Sequence, residues 1–304
     1  MEIPQKQKEI LKGLGITKVE QLAGMNENML AMISGFSVET AEKIIKTSWK
    51  YYEVNFLDSK ELMEIEQKGF LKTPLKKLND VLGGGFEIGT SVSLYGPYAS
   101  GKTEFCFTQS AITASEGNIV IFIDTEQTFS IKRYEEIVIA RGLDVQKAME
   151  NIKVIKAPSS AELMLLSYKL PSHLQRFKEK GKPVKLIVID SLMSPFRSDY
   201  AGLKDLVARQ QNLNHTIRMF NRMASFFDLV VLVTNQVVAV PDSFIKYVAA
   251  GGHVFSHNLA TIIRLKKTVK KRLRSWRIDD SPKIPEVEGF FKITEKGVED
   301  VEMK

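Results

Sequence analysis

The stretch that decides the fold is Gly96-Pro97-Tyr98-Ala99-Ser100-Gly101-Lys102-Thr103, which fits the pattern G-x-x-x-x-G-K-[ST] without a mismatch. It follows an alternating run, residues 90–95, that predicts a strand. It precedes residues 104–115, which contain neither Pro nor Gly and predict a helix. In a strand–loop–helix unit, backbone N–H groups and the helix N-terminus together favour a bound anion. The stretch therefore predicts a phosphate-binding loop rather than a chance Gly/Ser turn.

The residue types in this loop predict how a nucleotide is held. Gly101 lets the backbone come close, Lys102 reaches the β- and γ-phosphates, and the Thr103 hydroxyl holds Mg²⁺. We therefore expect ATP and Mg²⁺ as ligands. The predicted cofactor-binding residues of this segment are Gly96, Pro97, Tyr98, Ala99, Ser100, Gly101, Lys102, Thr103 and Glu104.

Length and composition narrow the class of protein. The 304 residues can bury a full α/β core together with a small second domain. No apolar run approaches the length of a membrane span, and residues 1–9 are charged, so we expect neither a membrane partner nor a signal peptide. The single cysteine, Cys106, excludes an internal disulfide and suits a reducing compartment. The expected location is the cytoplasm.

The net charge of +7 favours a polyanionic partner, although a generally basic surface gives the same total. The charge is concentrated in residues 266–277, where seven of twelve residues are Lys or Arg and one is Trp276. Two interpretations remain open at this stage. The segment is a nucleic-acid surface, or it is a solvated strand pair whose lysines block an exposed sheet edge.

The chain divides into three predicted parts: residues 1–52, 53–72 and 73–304. The first is helical, and its most specific stretch is residues 33–45, where a Gly35 turn is followed by the capping residue Ser37 and an amphipathic helix. This pattern predicts a helix–hairpin–helix unit that binds a backbone phosphate, or else a plain helical bundle used for protein contact. The second part is a charged connector with one exposed aromatic residue, Phe56.

The third part predicts an α/β fold with a mostly parallel central sheet. Five nearly continuous apolar runs flanked by helical segments are typical of buried parallel strands. They are residues 91–95, 119–123, 152–155, 186–189 and 230–234. Two further runs, residues 261–266 and 274–278, flank the basic turn and predict an antiparallel hairpin.

Acidic and amide side chains follow three of these strands, at the sheet edge where ligands bind. Asp190 ends an apolar run and is predicted to hold Mg²⁺ through water, or alternatively to cap a helix from Leu192 onward. Glu126 is placed to orient and deprotonate the attacking water, and Gln236 to sense the γ-phosphate. The predicted catalytic residues are Lys102, Glu126 and Gln236. Residues 237–252 predict a mobile loop that responds to nucleotide.

These residues resemble the archaeal and eukaryotic RecA/RadA family of DNA recombinases over essentially the whole chain. Several of the matching stretches are specific to that family rather than to ATPases in general. They are residues 82–85, 96–103, 122–129, 196–200, 208–213, 234–237 and 251–253.

The resemblance implies a RecA-like P-loop ATPase core preceded by a small all-α helix–hairpin–helix domain. It implies that Glu126 is the catalytic carboxylate and that Arg133 stacks on adenine. It also implies that Asp280 and Pro282 belong to a cap that a neighbouring protomer lays over ATP. We therefore add Arg133, Asp280 and Pro282 to the predicted cofactor-binding residues.

The resemblance also implies DNA-binding loops around residues 199–205 and 237–252, which line the axis of a filament. Single-stranded and double-stranded DNA are thus the expected partners. For Arg209, a solvated helix face is an alternative to DNA contact. The predicted DNA-binding residues are Arg197, Tyr200, Lys204, Arg209, Val240 and Lys246.

Self-association as a filament or ring is expected through the connector. The family's polymerisation motif is Phe-x-x-Ala, and this chain has Phe56 with Ser59 in place of the alanine. Since a hydroxyl fits poorly in a pocket shaped for a methyl group, we expect a weakened contact. The second loop is also short, and Leu203 and Lys204 stand where an arginine is usual in the family.

Two functions follow as hypotheses. The first is a DNA-dependent ATPase of homologous recombination and DNA repair that promotes homologous pairing and strand exchange. The second is a recombinase paralogue that binds ATP and DNA and modulates the main recombinase without exchanging strands itself. A hexameric helicase or a circadian-type kinase on the same core does not account for the helix–hairpin–helix segment or for residues 196–200.

Overall fold

The computed structural model describes residues 2–53, 56, 58–60, 68–239, 247–249, 258–270 and 272–301. The chain divides into two compact units, one of residues 1–67 with 165–181 and one of residues 68–164 with 182–304. Within the described residues, no helix has both the length and the apolar character that crossing a bilayer requires. The predicted boundaries at residues 52 and 72 stay a prediction.

The first unit contains short helices around a small apolar core. The amphipathic pattern of residues 38–49 buries Ala41, Ile44 and Ile45 on one face. Ser37 caps this helix by accepting a hydrogen bond from the backbone N–H of Thr40 at 3.2 Å. The helices described within residues 2–53 are α1 Gln5–Gly13, α2 Val19–Ala23, α3 Glu27–Ser34 and α4 Val38–Trp49.

The second unit is built on a nine-stranded mixed sheet, counted over the described residues. Its spatial order is β13-β12-β11-β10-β3-β7-β6-β4-β5. The strands from β10 to β5 are parallel, and those from β10 to β13 pair antiparallel. Their bounds are β3 Ser91–Tyr95, β4 Ile119–Asp124, β5 Ile152–Lys156, β6 Val184–Asp190, β7 Val230–Asn235, β10 Thr261–Lys267, β11 Leu273–Asp280, β12 Glu288–Thr294 and β13 Gly297–Asp300.

In the part of the chain that the structure describes, two short antiparallel pairs accompany the sheet. One joins β1 Phe70–Leu71 to β2 Phe86–Glu87, and the other joins β8 Val237–Ala239 to β9 Tyr247–Ala249. The other helices within residues 68–301 that the structure describes are α5 Lys76–Val81, α6 Lys102–Ser115, α7 Ile131–Ala140, α8 Val145–Asn151, α9 Ser160–Glu179, α10 Ser194–Asp199 and α11 Leu206–Phe227, with a 3₁₀ turn at Leu203–Asp205 before the last.

The helix after the phosphate loop, α6, is the centre of the core. Phe105, Cys106 and Ala111 on it are fully buried, because it packs between the sheet and neighbouring helices. Phe107 meets Phe122 of β4 with ring centroids 5.6 Å apart. This burial raises the pKa of the Cys106 thiol well above its usual range, so the cysteine acts as a small apolar side chain, as expected.

All seven predicted strands form, with ends that shift by one or two residues. Of the two interpretations of the basic hairpin, the one in which its lysines block a sheet edge is wrong, because β10 pairs with β3 and β11 pairs with β12, so both strands lie inside the sheet. Trp276 is also buried and belongs to the core rather than to a nucleic-acid surface. Strands β12 and β13 were missed; β12 alternates exposed and buried residues and lacks the apolar run that marks the parallel strands.

We predict that Gly289→Ala destabilises the second unit by about 1–3 kcal/mol. A Cβ at this position would lie 2.4 Å from Cζ2 of Trp276, whose buried indole cannot swing away. Chemical denaturation of the single variants and of a double variant with Trp276→Leu gives the measurement. In the Trp276→Leu background the added methyl should cost little. An equal cost in both backgrounds would show that the indole is not the obstacle.

Candidate functional site

The phosphate loop leaves the end of β3 and enters α6 through two constrained glycines. Gly101 lies at the N-cap of α6 and has a φ of +103°. Residues with a side chain rarely adopt this backbone conformation. At Gly96, a Cβ would lie 2.1 Å from the carbonyl oxygen of Leu265 on β10. The two glycines of the sequence pattern are therefore required by the backbone geometry itself.

Two side chains of this loop, Lys102 and Ser100, make no hydrogen bond outside the loop among the described residues, which fits an anion. The Lys102 ammonium donates to the carbonyl oxygens of Gly96 at 2.9 Å and Pro97 at 3.1 Å, both in its own loop. Its pKa is lowered by burial, and the nearby Asp190 and Glu126 carboxylates oppose that effect. The Ser100 hydroxyl is buried and finds no hydrogen-bond partner among the described residues. A phosphate group would satisfy these donors.

Asp190 ends β6 and is held by two hydroxyl groups. Thr103 donates to its Oδ2 at 2.7 Å, and Thr234 at the end of β7 donates to its Oδ1. Burial raises the pKa of this carboxyl, and the two hydroxyl donors counteract the rise. The alternative that Asp190 caps a helix is wrong, since Met193 occupies the N-cap of α10. A hydroxyl beside a carboxylate is a donor set that fits Mg²⁺, which keeps several waters and phosphate oxygens.

Glu126 follows β4, and hydroxyl and amide groups from neighbouring strands fix it. Ser191 donates to its Oε1 at 2.8 Å, and the Gln236 amide approaches the same oxygen at 3.5 Å. The Thr125 hydroxyl and the Ser191 backbone exchange two hydrogen bonds, at 2.7 and 2.8 Å. The ends of β4, β6 and β7 are thus tied together at the phosphate loop.

The other acidic residue at the end of β4, Asp124, stabilises the turn that follows the strand. Its carboxylate accepts the backbone N–H groups of Thr128 at 3.1 Å and Phe129 at 3.0 Å, which shapes the turn after the strand. The supporting roles of Thr125, Ser191 and Thr234 were missed from the sequence. The signal that could have found them is their place beside Glu126, Asp190 and Gln236 at strand ends, but hydroxyl residues are common there.

Arg133 lies on α7 against the first turn of α6. Its Nε and Nη2 donate to Glu104 at 3.1 and 2.9 Å, and other N–H groups donate to the backbone oxygens of Thr294 and Glu295 at 2.7 and 3.2 Å. Glu136 lies at 3.5 Å from Nη1. The hydrogen bonds that Arg133 donates to Glu104 raise the pKa of the guanidinium. The edges of the guanidinium are occupied, so its planar face is what remains for a ligand.

The remaining predicted cofactor-binding residues lie apart from this group. Asp280 is the last residue of β11, and Pro282 follows in an exposed segment. Among the described residues neither makes a hydrogen bond to the phosphate loop. Tyr98 is 89% exposed, so its phenol does not fill the loop.

Four predicted DNA-binding residues are described, and they cluster near α10 and α11. Arg197 lines a polar cavity of about 310 Å³ with Ser191 and Gln236. The Tyr200 hydroxyl accepts a hydrogen bond from Asn212 at 2.8 Å. Lys204 is exposed on the 3₁₀ turn, whereas Arg209 is half-buried, which argues against a fully solvated helix face. Val240 and Lys246 lie outside the described residues, as does most of the predicted mobile loop.

The connector residues belong to the first unit. Phe56 is 91% exposed, as the sequence predicted, and Ser59 is exposed as well. Nothing in the chain's described residues covers the Phe56 ring.

A mixed sheet with a phosphate loop after a central strand, and a carboxylate at the end of a strand two places away, defines the RecA-like class of P-loop ATPase folds. The chain belongs to the Rad51 family, whose sequence model matches residues 66–301. It is 34% identical over 300 residues to a protein of Metallosphaera sedula described as DNA repair and recombination protein RadA, covering 95% of this chain and 90% of that protein. The family resemblance and the predicted fold class are therefore confirmed.

Proposed function

We propose that the chain is a DNA-dependent ATPase of homologous recombination and DNA repair, which binds single-stranded DNA and promotes homologous pairing and strand exchange. The observation that carries the proposal is the assembly of Lys102, Thr103, Asp190, Glu126 and Gln236 around one end of the sheet. The similarity to a protein described as acting in DNA repair and recombination supports the process in which it works. The cytoplasm, close to the nucleoid, is the location this proposal requires.

The chemistry we propose at this end of the sheet is ATP hydrolysis. The loop N–H groups and Lys102 bind the phosphates, while Thr103 and Asp190 would hold Mg²⁺, which supplies neutralising charge. Glu126 orients the attacking water and takes its proton, and Ser191 fixes the direction of the Glu126 carboxylate. Phosphoryl transfer depends mainly on positioning and charge, so fixed side chains of this kind suit it.

The DNA contact we propose lies beside this site. Arg197, Lys204 and Arg209 supply positive charge for phosphates, and Tyr200 supplies an aromatic ring for a base. Because Arg197 and Gln236 line the same cavity, DNA held by Arg197 would lie next to the residue that faces the γ-phosphate. Binding to single-stranded and double-stranded DNA should weaken steeply as salt rises.

Self-association is part of the same proposal. The Phe56 ring is 91% exposed, and a second copy of the chain is the proposed cover for it. Asp280 and Pro282 lie in an exposed segment and would reach the nucleotide of a neighbouring copy in a filament or ring.

A second candidate function is a paralogue that binds ATP and DNA and modulates the main recombinase as a partner. Ser59 at the alanine position of the polymerisation motif favours it, since its hydroxyl weakens burial in an apolar pocket. Leu203 and Lys204 at the position of an arginine favour it as well.

A strand-exchange assay with purified protein separates the two functions. Joint molecules that form with ATP, and fail to form without ATP or with Lys102→Ala, would establish the recombinase. ATP-dependent DNA binding without joint molecules would establish the paralogue, and adding a second recombinase should then alter that protein's yield. Absence of ATP binding would overturn both.

We predict that Glu104→Ala weakens ATP binding by about tenfold while binding of inorganic tripolyphosphate stays nearly unchanged. A charge-assisted hydrogen bond contributes ~1.5–3 kcal/mol, and the released Arg133 would present its face less often to the base. Titration calorimetry with both ligands gives the measurement. Glu136→Ala is the matched control, since Glu136 contacts the same guanidinium more distantly and is exposed. An equal loss of both ligands would contradict a role in holding the base.

A further inference from the structure

One buried carboxylate, that of Asp279, collects three side chains outside the site described above. The Tyr95 hydroxyl donates to its Oδ2, and Arg264 and Arg277 reach its Oδ1 at 3.1 and 3.2 Å. The Asp279 and Arg264 side chains are about four-fifths buried. Groups this shielded from water interact more strongly than a surface pair does.

This cluster connects the phosphate loop to the segment that follows β11. Tyr95 is the last residue of β3, and the phosphate loop begins at the next residue, Gly96. Asp279 is the last residue but one of β11, directly before Asp280. Burial and the bond to Asp279 both raise the pKa of Tyr95, so its hydroxyl stays a donor at any physiological pH.

The exposed segment that starts at Asp280 is closed into a loop by the same cluster. Arg277 pairs with Asp279 through Nε and with Glu286 through Nη2, so one guanidinium joins both ends of the segment. The backbone N–H of Ile278 donates to the carbonyl of Val287 at 3.0 Å. In the middle, Lys283 pairs with Glu87 at 3.1 Å. The segment is thus shaped before any partner arrives.

We infer that Tyr95, Asp279 and Arg277 couple a protomer's own phosphate loop to residues 280–286, the segment that it offers to the nucleotide of a second copy. The inference rests on the proposed function, in which those residues cover a neighbour's ATP. When the phosphate loop closes on phosphates, Tyr95, the residue directly before it, moves as well and displaces Asp279 through their hydrogen bond. Arg277 contacts both Asp279 and Glu286, so the displacement reaches both ends of the segment. All three act as positioning residues, since Tyr95 precedes the phosphate loop and Arg277 and Asp279 lie on β11, outside the set around Asp190 and Glu126. ATP at one site thereby favours ATP at the next.

The test is the cooperativity of ATP hydrolysis at protein concentrations where the chain is assembled. The wild-type protein should give a sigmoidal dependence on ATP. Tyr95→Phe and Asp279→Asn should bring the Hill coefficient close to one, with kcat within about twofold and with binding of a fluorescent ATP analogue to dilute protein unchanged. Glu87→Gln is the matched control, because it loosens the segment without touching Tyr95, and cooperativity should survive.

Each outcome decides one question. Cooperativity that persists in both variants overturns the inference, and so does a parallel loss of analogue binding by dilute protein, which would mean a purely structural role. Thermal unfolding of the variants identifies any that fail to fold. Arg277→Met then replaces such a variant, because it also removes the contact between Asp279 and the segment. A wild-type protein that hydrolyses ATP without cooperativity removes this inference but leaves the proposed function intact. A wild-type protein that does not bind ATP removes the proposed function.

Discussion

Glu126→Gln is expected to slow ATP hydrolysis by about 10²–10⁴-fold while ATP binding changes by less than about threefold. The amide keeps the size of the side chain and can still accept the hydrogen bond that Ser191 donates at 2.8 Å. It cannot take a proton from water, and that loss is confined to the chemical step. Binding depends on the phosphate loop, where the hydrogen bonds of Lys102 go to Gly96 and Pro97 and not to Glu126.

Single-turnover hydrolysis and equilibrium binding of ATP, measured on the same preparation, separate the two effects. The matched control is Glu135→Gln, an exposed carboxylate on α7 that should leave both quantities unchanged. Normal turnover by the Glu126 variant would show that another residue is the general base. Turnover and binding that fall together would mean that Glu126 supports the site rather than the reaction.

The parts of the site that could be predicted from the sequence are those that a local pattern dictates. The phosphate loop needs two glycines because one backbone position has a positive φ and the other lies against a carbonyl oxygen, and both demands appear as spacing along the chain. Asp190 and Glu126 were found because each follows an apolar run, which marks the end of a buried strand.

The parts that could not be predicted depend on strand order. Nothing in the sequence near Tyr95 indicates that Asp279 lies beside it, because the contact exists only once β10 separates β3 from β11 in the sheet. The basic hairpin has the sequence pattern of a sheet edge for the same reason, since the antiparallel strands β12 and β13, which extend the sheet beyond it, carry weak local signals. Among the described residues of the turn, the basic side chains that remain exposed are Lys266, Lys267, Lys270 and Arg272, so a polyanion contact there stays a prediction.

Lys102→Ala is expected to reduce kcat/KM for ATP by about 10²–10³-fold, and unlike Glu126→Gln it should weaken ATP binding as well. In the structure the ammonium group donates to two carbonyl oxygens of its own loop, at 2.9 and 3.1 Å, so it is already held where the loop closes. Its pKa is lowered by burial, yet the adjacent Asp190 and Glu126 carboxylates favour the charged form. Alanine removes this positive charge, and the loop N–H groups alone neutralise less of the negative charge of a bound phosphate.

Binding of a fluorescent ATP analogue and steady-state hydrolysis measure the two losses, and circular dichroism shows that the loop change leaves the fold intact. Lys132→Ala, an exposed lysine on α7, is the control for removing one positive charge from a basic protein. If Lys102→Ala and Lys132→Ala behave alike, general charge rather than the loop lysine explains nucleotide affinity. If Lys102→Ala turns over ATP normally, the phosphate loop is not where the reaction takes place, because no arrangement of the remaining loop donors replaces a cation at the transferred phosphoryl group.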